Sequence, residues 1–175
     1  LCSAVDLADY DLVTIPDDLL AGITAPIVIL KPNISTRSPD SYTHPAVVRA
    51  LGEALQRRGH RVVVAEGMHL THFKQAVLKS TGYDALLAEY PFVDLEKEPC
   101  LPLTTAHPAL PHVAIPTVLL QEGVAIVNVP KLKTHLMTFY TGPVKNISMG
   151  AVNQHSRAEM HRLAGHDFRL LGELL

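Results

Sequence analysis

Three short segments carry side chains suited to holding an anion and moving a proton. Lys31-Pro32-Asn33 and Lys131-Leu132-Lys133-Thr134-His135 each follow an apolar run, and Thr141-Gly142-Pro143-Val144-Lys145-Asn146 adds a fourth lysine and an amide. Neighbouring ammonium groups attract a phosphate or carboxylate, and their mutual repulsion lowers one pKa toward the range of a proton-transfer group. If the chain stays extended past Pro130, Lys131 and Lys133 share one face and Leu132 takes the other. Lys131, Lys133 and His135 are therefore the candidate catalytic groups, with the imidazole as acid or base near neutral pH. Lys31, Asn33, Glu66, Lys145, Asn146 and His161 are the candidate ligand-binding groups. The glycine–proline pair at 142–143 suits a helix start whose free N–H groups face an anion. The competing reading is plain: solvated lysines at strand ends and an ordinary loop-to-helix junction.

Other chemistries find less support. Neither the phosphate-loop pattern nor the glycine-rich dinucleotide fingerprint occurs, and no Gly-x-Ser-x-Gly elbow presents a serine nucleophile. Ten histidines invite a metal, with His69 and His72 three apart and His155 four before Glu159. They share no metalloprotease-like spacing, so a dedicated metal site is not expected. Cys2 and Cys100 lack a CxxC partner and cannot by themselves hold an iron–sulfur cluster. Cys100, in a proline-rich stretch without an evident base, reads as a structural thiol.

The elements that must position these groups are those of an α/β fold. Ile27 to Leu30 and Val124 to Val129 read as buried strands, each closed by a proline and then lysine or asparagine. Thr43-His44-Pro45 opens a helix with an apolar stripe at Val47, Val48, Leu51, Ala54 and Leu55, and Gly59 ends it. Arg61 to Ala65 is the next strand, completing a βαβ unit that ends at Glu66-Gly67. Thr71 to Leu78 and Tyr83 to Tyr90 read as short helices, and Phe92 to Leu95 as a strand. Five prolines between Pro99 and Pro116 predict irregular or edge structure. Helices are expected from about Pro143 and from about Ser156. In open parallel sheets ligands bind beyond the carboxyl ends of the strands, where Lys31, Asn33, Glu66, Lys131 and Lys133 all fall.

Composition bounds the rest. Of 175 residues 47% are hydrophobic and 18% charged, as in sheets covered on both faces, and the net charge is −2. No global basic field recruits nucleic acid, and no apolar run reaches the ~20 residues of a membrane span. With no signal-peptide pattern and few cysteines, a soluble, cytoplasmic protein is expected. Residues 1–24 read as a helix-and-turn lead-in, and 25–175 as one mostly parallel α/β domain with flanking helices in Rossmann-like layers. A start at Leu1 and an end inside an apolar helical pattern suggest an incomplete fragment of a larger domain, truncated at its C-terminus.

Four segments, in this order and spacing, resemble the domain-of-unknown-function 362 family. They are Val28 to Asn33, Thr43 to Ala50, Val127 to His135 and Thr141 to Asn146, with Arg157 to His161 resembling the segment that follows. Pro143 stands where a small residue is expected, and Pro99 to Pro116 matches poorly. Many members carry a ferredoxin-like module with two four-iron clusters. The resemblance thus implies redox chemistry through a separate domain or partner, with no cofactor held by this chain itself. Three functions follow as expectations. The first is a small-anion-binding protein, either a binder alone or an enzyme acting on the anion. The second is a binding module working with a ferredoxin-like partner. The third is a metal-dependent hydrolase built from histidines and Glu66.

Overall fold

A computed structural model describes residues 13–34, 41–67, 74–135 and 139–164. In chain order the described strands and α-helices are β1 (Ile27–Pro32), α1 (Pro45–Arg57), β2 (Arg61–Glu66), α2 (Lys74–Thr81) and α3 (Tyr83–Glu89). There follow β3 (Phe92–Asp94), β4 (Cys100–Thr104), β5 (His112–Pro116), β6 (Val124–Val129), β7 (Lys133–His135), β8 (Phe139–Thr141), α4 (Pro143–Ala151) and α5 (Gln154–Ala164). The centre is a four-stranded, all-parallel sheet in the order β3-β2-β1-β6, flanked by helices in Rossmann-like layers.

The β-branched runs of β1 and β2 fit a pleated sheet covered on both faces. Alternation sends Val28, Leu30, Val62 and Val64 to one face, against Val48, Leu51 and Leu55 of α1 and Tyr83 and Leu86 of α3. Ile29, Val63 and Ala65 go to the other, where they meet Leu95, Leu119 and Ala151, with Ile147 of α4 packed alongside. Burying each large apolar side chain of this kind contributes roughly 1.5–3 kcal/mol. Helix α1 has its expected ends. His44 caps it by accepting from the Ala46 N–H, Pro45 occupies the first turn, and Gly59 takes a left-handed φ of 89° beyond its end.

One expectation is narrowed, from irregular or edge structure to edge strands, and two change. The proline-rich stretch forms an antiparallel hairpin, β4 with β5, pairing Cys100 with Pro116 and Pro102 with Ala114. Prolines are admitted because each strand of a two-stranded sheet has a free edge. Its Val113, together with Leu110, packs on Met149, Val152 and Met160, so the hairpin buttresses α4 and α5. Strand β6, expected to be buried, is half-covered, with Ile126 36% exposed, because among the described residues it pairs with β1 alone at the sheet's border. Lys31 and Pro32 lie within β1 rather than past it, paired with Asn128 and Val129. The helix expected from Thr71 is described from Lys74; residues 71–73, with His69 and His72, lie outside the described residues. Among the described residues no helix is long and apolar enough to cross a membrane.

Candidate functional site

The strand order locates a crevice. From β1 the chain steps outward to β2 and β3, then returns to β6 on the opposite side of β1. Connections leaving neighbouring strands in opposite directions open a gap at their carboxyl ends, where ligands of such sheets bind. Helix α4 lies across this gap, on the face shared by Ile27, Ile29 and Lys31.

The floor is a buried polar network. The Lys31 side chain is wholly buried, and its ammonium donates to Glu66 Oε1 at 2.8 Å and to Asn146 Oδ1 at 3.4 Å. A buried charge is tolerated when it is paired and hydrogen-bonded. Glu66 meets this condition fully: Oε1 also accepts from the Gly67 N–H at 2.9 Å, and Oε2 from the Ile34 N–H at 3.1 Å. Asn146 ties α4 to both neighbouring strands. Its Nδ2 donates to Asn128 Oδ1 at 2.8 Å and to the Lys31 carbonyl at 3.1 Å, while Asn33 Nδ2 reaches its Oδ1 at 3.5 Å. Because Lys31 can only donate, the amide oxygen must face it. Thr43 secures the strand ends from below, accepting from the Asn33 N–H and donating to the Val129 carbonyl.

Above this floor is a cavity of about 210 Å³. Asn33, Ile34, Glu66 and Gly67 line it from the strands, Thr141 from β8, Lys145, Asn146, Met149 and Gly150 from α4, and Arg157 and His161 from α5. Close approach explains two glycines. A Cβ at Gly150 would sit 2.9 Å from the Lys31 ammonium, and one at Gly67 would crowd Arg157 at 3.3 Å.

The cations around the cavity are not equivalent. Lys31 is paired with Glu66. Arg157 is paired with Glu96 at 2.8 Å and also donates to the Met149 and Val152 carbonyls, closing the end of α4. Lys133 donates to the Ser41 carbonyl at 2.5 Å. Partial burial pulls its pKa down, Glu66 opposes this, and Lys131 adds to it. Lys145 makes no hydrogen bond or ion pair among the described residues. Burial, then the charges of Lys133 and Arg157, lower its pKa to about 8. Thr141 Oγ1 is likewise buried without a hydrogen-bond partner among the described residues.

Of the residues singled out from sequence, Asn33, Glu66, Lys145, Asn146 and His161 line the cavity and Lys31 lies beneath it. Lys131 and Lys133 are half-buried at the start of the β7–β8 hairpin and are not lining residues, while the intervening Leu132 is 71% exposed. The backbone of His135 ends β7; its side chain lies outside what is described. His155 and Glu159 sit on α5, and among the described residues no three histidine, cysteine or acidic side chains converge on a metal-sized site. Cys100 is half-buried in β4, and burial raises its thiol pKa, which disfavours a thiolate. Sequence reasoning missed Thr141, Arg157 and the two glycines. Thr141 and Arg157 lay inside segments already noted, but nothing in their spacing distinguished them from their neighbours.

Comparison with known proteins gives a consistent picture. A thylakoid-associated protein of Synechocystis sp. is 28% identical over 153 residues, covering 85% of this chain and 46% of that protein. The chain therefore spans about half the length of this curated relative. No solved structure matches it. The family described as Domain of unknown function (DUF362) matches residues 28–174, a span that contains every residue of the cavity wall. By that match the chain belongs to the DUF362 family.

Proposed function

We propose that this chain binds a small phosphate- or carboxylate-bearing molecule in the strand-end cavity. The observation that carries the reading is that one cavity is lined both by a lysine without a counter-ion and by a buried hydroxyl without a hydrogen-bond partner among the described residues. An unsatisfied buried hydroxyl costs about 1–3 kcal/mol, and a desolvated lone ammonium disfavours its own charge. An anion relieves both at once. Paired carboxylates elsewhere in the floor leave Lys145 as the cation with unspent attraction. Size supports a small occupant, since 210 Å³ falls below the roughly 300–1,000 Å³ of pockets for drug-sized ligands. The net charge of −2 keeps this positive character local.

The test is a thermal-shift and titration series with inorganic phosphate and small carboxylates. At a hundredfold excess over Kd, binding adds about 2.7 kcal/mol, which raises the melting midpoint by roughly 5–10 °C for a chain of this size. Lys145→Met and Thr141→Val lose most of that shift, whereas Lys131→Ala retains it. Absence of a shift with every anion, or an undiminished shift in Lys145→Met, overturns the reading.

A further inference from the structure

We propose that Lys145 acts as an amine nucleophile, condensing with the carbonyl of a small oxo acid whose carboxylate the cavity holds. This rests on the anion-binding reading and adds a substrate class to it. A lysine whose ammonium is clamped by a carboxylate cannot offer its lone pair. That describes Lys31 beside Glu66, 2.8 Å away and fully buried. Lys133 is committed to the Ser41 carbonyl. Lys145 has neither restraint among the described residues, and it lines the strand-end cavity half-buried. Its surroundings also favour the neutral amine: burial, together with the Lys133 and Arg157 charges, brings its pKa to about 8. About a tenth is then unprotonated at pH 7, against roughly 0.04% for an ordinary lysine with a pKa near 10.4. Desolvation beside other cations is a recognised means of activating an amine for attack on a carbonyl.

The second half of the substrate is fixed by the other groups on the wall. Thr141 Oγ1 is buried with no hydrogen-bond partner among the described residues and can donate to a carboxylate oxygen, and Asn33 also lines the cavity. A cavity of about 210 Å³ suits a carbonyl and a carboxylate on adjacent carbons, with few atoms beyond them. The step balances without a redox partner. The ammonium releases a proton, the amine adds to the carbonyl carbon to form a C–N bond, and the carbonyl oxygen departs as water. In sum, a protonated amine and a carbonyl give a protonated imine and one water.

The experiment is reductive trapping. The protein is incubated with glyoxylate or pyruvate and cyanoborohydride, digested, and mapped by mass spectrometry, while phosphate binding is followed separately by titration. The expected result is a reduced adduct on Lys145 in at least tenfold excess over every other lysine. Excess phosphate suppresses it, Thr141→Val weakens it, and Lys145→Arg, which keeps the charge, lacks it. Labelling accelerates as pH rises through about 8. Uniform labelling of surface lysines, or the same labelling in the presence of saturating phosphate, overturns the imine while bound phosphate leaves the anion site standing. Failure of both phosphate and oxo acids to bind overturns the two together.

Discussion

Lys145 links the electrostatics of the cavity to measurable pH dependence. Its folded-state pKa of about 8 lies below the ordinary lysine value of 10.5. Below pH 8 it is charged in both folded and unfolded chains, so the folded state carries the whole penalty of desolvation and repulsion. Between about 8 and 10.5 the folded chain releases the proton first, and stability rises with pH. The wild-type melting midpoint therefore gains on that of Lys145→Met across this window, and a parallel pair of curves refutes the assignment. Anion affinity has the opposite sign: it is greatest below pH 8 and falls above it, approaching about tenfold per pH unit for one linked proton. The buried pair beneath makes a different prediction. Lys31→Met strands Glu66 among apolar and amide groups and costs about 3–5 kcal/mol in urea denaturation. Adding Glu66→Gln removes the orphaned charge and keeps one acceptor oxygen for one of the two backbone N–H groups, Ile34 or Gly67, that the carboxylate serves, so the double variant recovers part of that loss.

The elements divide into those that form the cavity and those that hold it in shape. Helix α4 contributes Lys145, Asn146 and Gly150, and α5 contributes Arg157 and His161. Neither helix lies in place by itself. The hairpin of β4 and β5 fixes them through the Ala114 N–H, which donates to Ser156 Oγ at 2.8 Å, and the Ala114 carbonyl, which accepts from the Asn153 N–H at 3.0 Å. Ser156→Ala leaves that N–H without its acceptor and costs about 1–3 kcal/mol. Because Arg157 follows directly, the same change weakens phosphate binding although Ser156 is not a lining residue. Unchanged affinity in a destabilised Ser156→Ala protein would separate the hairpin from the site. The capped, striped α1 was readable because its signals are local: a cap, a proline and one apolar face. The hairpin was not, because five prolines argue against a central strand and say little about a pair of edges. The half-covered β6 was misread for a related reason. Its apolar run is compatible with a buried strand, and sequence does not show how many neighbours a strand has.

At the scale of the molecule, the parallel sheet and its layers were legible from βαβ periodicity, and the location of the cavity from the rule that ligands gather at strand carboxyl ends. The distinction among the lysines was not. Lys31, Lys133 and Lys145 look alike in sequence, and only the fold assigns one to a carboxylate, one to a carbonyl and one to the cavity wall. The strand order also bears on folding, since the pairing of β1 with β6 spans most of the domain and is expected to close late. Phosphate added during refolding should leave the folding rate within about twofold, and slow unfolding, because the site is absent from the transition state. A folding rate that rises in step with phosphate concentration would place the site in the nucleus instead. Asn146, bonded to Lys31 across 115 residues, gives this order a biological clock. At roughly 5–20 residues per second of synthesis, about 6 to 23 s pass between the making of the first strand's lysine and of the amide that completes its shell. Glu66, only 35 residues on, arrives first. On the ribosome the nascent chain can neutralise Lys31 long before it can enclose a ligand, and the pocket becomes usable only once α5, with Arg157 and His161, has been made.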